Sequence, residues 1–189
     1  MKTRAVPVTL IRWHYLWYVL AALAVMIIVI ANHHLWSLNF VHVLCGLLWT
    51  GIDLFMGFIL GPILRVVDIA ARKAVLLRLT PRTLFLMPTL SLITGTTGWY
   101  LAIDMGFTAM NFPQYAWVVA SLVLVILMSI QGIGYLLPTN FRVCLELQKD
   151  LPDDTRIASL MNRYFIAVAL QGVMQIMTIV IMARFATGI

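Results

Sequence analysis

Two ionisable side chains, His42 and Asp53, stand in a run of chain (38–53) that is otherwise fit for hydrocarbon. Ionisable groups are expensive inside a bilayer, so each marks a candidate functional position. On a helix of 3.6 residues per turn, His42, Gly46, Trp49 and Asp53 fall at offsets of zero, four, seven and eleven, on one stripe. Such a stripe faces the interior of a bundle rather than lipid. Asp53 then lies roughly 16 Å deeper along the helix than His42.

The chemistry open to His42 has three forms. The imidazole can hydrogen-bond a neighbouring helix and do nothing more. It can be an axial ligand of haem iron, with the bare backbone of Gly46 letting a flat ligand come close. It can also bind copper together with His33, His34, Cys45 or a methionine. The eleven methionines form no MxxM-type cluster in a loop, and methionine is an ordinary filler of apolar interiors. His33 and His34 sit in the short connector on the same side of the membrane as His42, as second ligands or as solvated interfacial residues. His14, among Trp13, Tyr15, Trp17 and Tyr18, reads as part of an aromatic belt at the opposite face. Asp53 is either a catalytic proton carrier, favoured where burial stabilises its neutral form, or a structural partner of Thr94, Thr96, Thr97 or an arginine.

The elements that position these groups follow from composition. The chain has 189 residues, 62% hydrophobic and 11% charged. Soluble domains carry about a quarter charged residues, so this is an integral membrane protein of the all-α, polytopic bundle class. A span needs about 20 mostly apolar residues, and five segments qualify: 11–31, 38–64, 83–103, 115–137 and 160–183. They leave no separate soluble domain. The first span follows Lys2 and Arg4 like a signal sequence. Its apolar run exceeds the roughly 7–15 residues of a signal core, so it is expected to stay as a span.

Charge orients the bundle. Lys2, Arg4 and Arg12 precede the first span; Arg65, Arg72, Lys73, Arg78 and Arg82 lie between the second and third; Arg142, Lys149, Arg156 and Arg163 flank the connector from fourth to fifth. The other two connectors hold no Lys or Arg. This alternation places the N-terminus of a multi-pass protein in the cytoplasm and its C-terminus outside. The net charge of +6 then belongs to loops facing anionic lipid, not to a nucleic-acid surface. Cys45 and Cys144 fall in different environments, and there is neither a CxxC pair nor a CxxCH haem-attachment site.

Local signals add detail. Thr80-Pro81 reads as a helix start, and Pro152-Asp153-Asp154-Thr155 as a loop leading into a helix cap. Pro62 and Pro88 are expected to kink their spans. Asp68 and Arg72 are spaced to pair on one helix face, so the second span is expected to continue as helix into the cytoplasm. Gly57 and Gly61 form a GxxxG pattern that permits close helix contact within one chain or between chains. Thr94-Gly95-Thr96-Thr97-Gly98 offers a small, polar surface for the second helix or for a planar cofactor.

The string His42-x6-Trp49-x-Gly51 at the start of a span, continued through the basic connector to Pro88 and Gly95–Gly98, resembles a broad group of bacterial membrane proteins. That group includes the HemJ-type protoporphyrinogen oxidases, the CopD-type copper-resistance proteins, the membrane domain of some urate oxidases, and DUF2269 proteins. The resemblance implies b-type haem on His42, with Gly46, Trp49, Gly95 and Gly98 around the cofactor. It also implies electron transfer as a membrane oxidoreductase or a subunit of one, with a quinone or a porphyrin as partner. Copper bound by His42, His33 and His34, porphyrinogen oxidation, and a non-catalytic subunit remain the alternatives. A homo-oligomer or a place in a larger membrane complex is expected, with the lipid bilayer as the constant partner.

Overall fold

A computed structural model describes residues 14–149 and 151–187; the basic residues Lys2, Arg4 and Arg12 and the expected start of the first span at 11 lie outside them. Five long helices follow one another: α1 (Tyr15–Ala31), α2 (Leu35–Val66), α3 (Ile69–Asp104), α4 (Tyr115–Leu147) and α5 (Asp154–Thr187). There is no strand among the described residues. Of the five, α2, α4 and α5 are long and apolar enough to cross a membrane. α1 is apolar but shorter, and it buries no residue, so it is a peripheral helix laid against α3.

The helices run up and down. Lys73 of α3 pairs with Asp154 of α5 at 2.6 Å at one end of the bundle. At the other end His33 approaches Asp104 to 3.8 Å, and the Arg184 guanidinium lies 4.6 Å from the Trp117 ring centroid. Arg65, Arg72, Lys73, Lys149 and Arg156 therefore gather at the first end. There the covered carboxylate of Glu146 binds Lys149 at 2.8 Å and faces Arg156.

Prolines shape three of the helices. α3 runs unbroken through Pro81 and Pro88, so Thr80 is an interior residue and not the expected cap. Each proline takes away a backbone donor, and nearby hydroxyls donate to neighbouring carbonyls: Thr83 Oγ1 to Thr80 and Leu79, Thr89 Oγ1 to Phe85, Ser91 Oγ to Pro88. In α2 and α4 the solution is different. A π-helical turn, Phe55–Leu60 in α2 and Gly132–Leu136 in α4, immediately precedes Gly61-Pro62 and Leu137-Pro138. The wider turn accommodates a proline ring that would clash with the carbonyl one α-turn back.

α2 ends at Val66. Asp68 does not pair with Arg72; its carboxylate caps α3 by accepting from the Ala71 N–H at 2.8 Å, while Arg72 donates to the Arg65 carbonyl. The chain thus turns at Val67-Asp68, where a continuous helix was expected. Asp153 caps α5 as its sequence predicts, accepting from the Thr155 and Arg156 backbone N–H groups.

The largest core cluster lies toward the basic end, where Met56, Leu64, Leu76, Val143, Ile157, Phe165 and Val168 meet. A second, smaller cluster joins Trp49, Leu90 and Met128.

Candidate functional site

α2 is the element that carries the site, and two close contacts fix it. The first is with α3. A Cβ on Gly98 would stand 2.6 Å from His42 Cε1 and 3.0 Å from Nδ1, so the imidazole lies directly on the Gly98 backbone. Only glycine leaves that space. One turn away, the methyl of Thr94 fills the space over Gly46. The small surface 94–98 thus receives α2, and the glycine beside His42 in space is Gly98 rather than Gly46. Over Gly95 nothing stands within 4 Å of where a Cβ would be.

Held this way, His42 Nδ1 is 3.0 Å from the Thr94 carbonyl oxygen, with the Thr97 hydroxyl at 3.5 Å. A carbonyl can only accept, so Nδ1 carries the proton and donates. The tautomer is thereby set: Nε2 keeps its lone pair, and no hydrogen bond among the described residues engages it. Thr97 Oγ1 donates to the Ile93 carbonyl at 2.6 Å. Thr94 Oγ1 is buried without a partner.

The second contact is with α5. Cβ atoms on Gly57 and Gly61 would stand 2.7 Å from Ala169 Cα and 2.9 Å from Phe165 Cβ, and one on Gly172 would meet Leu54 at 2.8 Å. The GxxxG pattern therefore serves contact within the chain. This antiparallel register brings Asp53 against Gln171 and Gln175, one turn apart on α5. Both Nε2 atoms donate to the same carboxylate oxygen, Oδ2, at 3.0 Å. Asp53 is 2% exposed and each glutamine 3%. The expected partners Thr94, Thr96, Thr97 or an arginine are not the ones found. The Trp49 indole, buried one turn before Asp53, approaches the same carboxylate.

Gln171 and Gln175 escaped notice in the sequence because glutamine is neutral and common on helices. The available signal was their i, i+4 spacing inside an apolar span, the same stripe logic that singled out His42 and Asp53.

The other histidines have separate tasks. His34 Nδ1 caps α2, accepting from the Ser37 N–H at 3.4 Å and lying 3.1 Å from the Ser37 hydroxyl. His33, with φ of 49°, forms the tight turn between α1 and α2 and faces Asp104. His14 stacks beside Tyr15 with ring centroids 4.3 Å apart. Among the described residues no group of three or more His, Cys, Asp or Glu side chains is placed to hold a metal ion. Cys45 and Cys144 are both free thiols.

Comparison of the chain with models of known protein families, with curated proteins and with solved structures gives no match. Its functional reading therefore rests on the chemistry of half-buried His42 and buried Asp53.

Proposed function

We propose that the chain is a five-span protein of the bacterial inner membrane, N-terminus cytoplasmic and C-terminus periplasmic, that holds b-type haem through His42 and carries electrons. It works alone or as a subunit of a larger oxidoreductase, with a quinone or a neighbouring subunit as its electron partner. The observation that carries this reading is the state of the imidazole. Nδ1–H is committed to the Thr94 carbonyl, the ring lies on Gly98, and Nε2 keeps a lone pair that no hydrogen bond among the described residues takes. An imidazole anchored through one nitrogen to a carbonyl has a fixed orientation and a more basic second nitrogen, the arrangement favoured in metal-ligating histidines. The open space over Gly95 lies one turn from Gly98, on the same helix. The residues present thus fit haem in donor chemistry. Bound there, haem supplies a one-electron redox centre whose potential the burial of the site tunes.

Copper is less well served, since His33 and His34 are occupied at the helix connector. Porphyrinogen oxidation is disfavoured as well: the third predicted span, 83–103, contains no lysine to match the one expected in the HemJ-type oxidases.

The purified protein should show a Soret band and an α-band that appears on dithionite reduction. His42→Ala should lose essentially all haem while His14→Ala keeps it. A full haem complement in His42→Ala, or a colourless wild type purified from haem-sufficient cells, overturns the assignment.

A further inference from the structure

The environment of Asp53 is incomplete in a way that points to a ligand. Its carboxylate lies in the bundle interior, and none of the ion pairs among the described residues involves it. Two amide N–H groups reach one of its oxygens and the Trp49 indole approaches it, but all three are neutral and leave a negative charge uncompensated. Moreover, Gln171 Oε1 and Gln175 Oε1 are both buried and have no partner among the described residues. The site thus joins one carboxylate to two buried amides whose oxygens lack a donor, and no positive charge among the described residues pairs with it. Tyr164, a second titratable side chain in the interior and also on α5, is itself buried.

We propose that Asp53, Gln171 and Gln175 form a buried site that binds one small monovalent cation, a proton or a sodium ion. The glutamines suit such a site because the two ends of a primary amide have nearly the same shape. With the site empty, both amides turn their N–H groups to the carboxylate. With a cation present, a half-turn of either amide exchanges Nε2 for Oε1 at the same distance of about 3 Å, within hydrogen-bond reach of a protonated carboxyl. The pair therefore serves both charge states of Asp53 without moving a helix. The π-helical turn that starts at Phe55, two residues on, lies beside the site, and such turns recur where helices carry function. The site stands apart from haem, since Asp53 lies roughly 16 Å along α2 from His42.

Infrared difference spectroscopy on the full chain in detergent tests this, comparing sodium-free choline buffer with buffer containing sodium chloride near neutral pH. In sodium-free buffer the wild type should show a protonated-carboxyl C=O stretch that the isosteric Asp53→Asn lacks. If sodium is the ligand, adding it abolishes the band and releases about one proton per chain. If the proton alone is the ligand, the band ignores sodium and disappears only on alkalinisation. Gln175→Leu, which keeps the helix and removes one amide, should weaken cation binding about tenfold, the size of one lost hydrogen bond. Absence of the carboxyl band in sodium-free buffer overturns the proposal. A Gln175→Leu protein whose melting temperature changes while its cation affinity does not overturns the role given to the glutamines. Neither readout depends on haem content, so failure of the haem reading is separately visible.

Discussion

His42 and Gly98 work as one unit. The imidazole can lie against α3 only because residue 98 has no Cβ, and its position there brings Nδ1 to the Thr94 carbonyl. Gly98→Ala places a methyl 2.6 Å from Cε1 of the ring and 3.0 Å from Nδ1, so the ring must leave its carbonyl. Overpacking of this kind costs about 1–3 kcal/mol. We expect Gly98→Ala to lower thermal stability in detergent by that amount and to lose haem as His42→Ala does. Gly51→Ala is the control: nothing stands within 4 Å of its Cβ position. It should be neutral or stabilising by up to about 1 kcal/mol, because alanine is the better helix former. Equal destabilisation by the two substitutions would refute the cradle. The sequence marked His42 as a candidate ligand on the inward stripe of α2, and the structure has it half-buried. It could not assign the glycine beneath the ring, since Gly46, Gly95 and Gly98 are equivalent until the register between α2 and α3 is known.

At the level of elements, the contact of α2 with α5 decides where Asp53 goes. Gly57→Ala meets the backbone of Ala169 at 2.7 Å, where no side-chain rotation gives relief. It should destabilise by about 1–3 kcal/mol and, by separating the helices, detach Gln171 and Gln175 from Asp53. The substitution should not change oligomeric state, as judged by light scattering. Conversion of an oligomer to a monomer with unchanged melting would mean that the glycines serve contact between chains instead. The start of α5 yields a pH prediction. The Thr155 hydroxyl, followed by the Arg156 backbone N–H, holds the Asp153 carboxyl below its ordinary value of 3.8. A lowered carboxyl contributes stability fully above that ordinary value, and the contribution is lost as pH falls through the folded value. Asp153→Asn keeps a capping oxygen but cannot titrate. The difference in melting temperature between wild type and Asp153→Asn should therefore shrink on acidification below about pH 4, and a constant difference contradicts the cap's charge. This cap was legible from Pro152-Asp153-Asp154-Thr155 alone, because capping is local. Thr80-Pro81 carried an equally good local signal and misled, because packing against α4 holds α3 continuous through Pro81. Asn140 Nδ2 of α4, for instance, donates to Thr83 Oγ1 at 3.2 Å.

For the whole molecule, the basic side chains gather at one end of an up-and-down bundle, and the proposed topology puts that end in the cytoplasm. Single cysteines at Asn32 and Met110, in a background with Cys45 and Cys144 replaced, should react with an impermeant maleimide in intact cells. A cysteine at Gln148 should react only after permeabilisation. The reverse pattern inverts the topology. Composition and hydropathy were enough to establish an all-helical chain with membrane-length segments, because in hydrocarbon every backbone polar group must be satisfied within its own segment, and that is a local condition. They were also enough to mark His42 and Asp53, since a charge in an apolar run is conspicuous by itself. The partners of those groups were decided only by the tertiary structure. Asp53 meets glutamines 118 and 122 residues away, and His42 a carbonyl 52 residues away. Such pairings depend on how helices slide against one another, and that register is set by the sum of many small contacts at Gly57, Gly61, Gly98 and Gly172, none of which any single stretch of sequence contains.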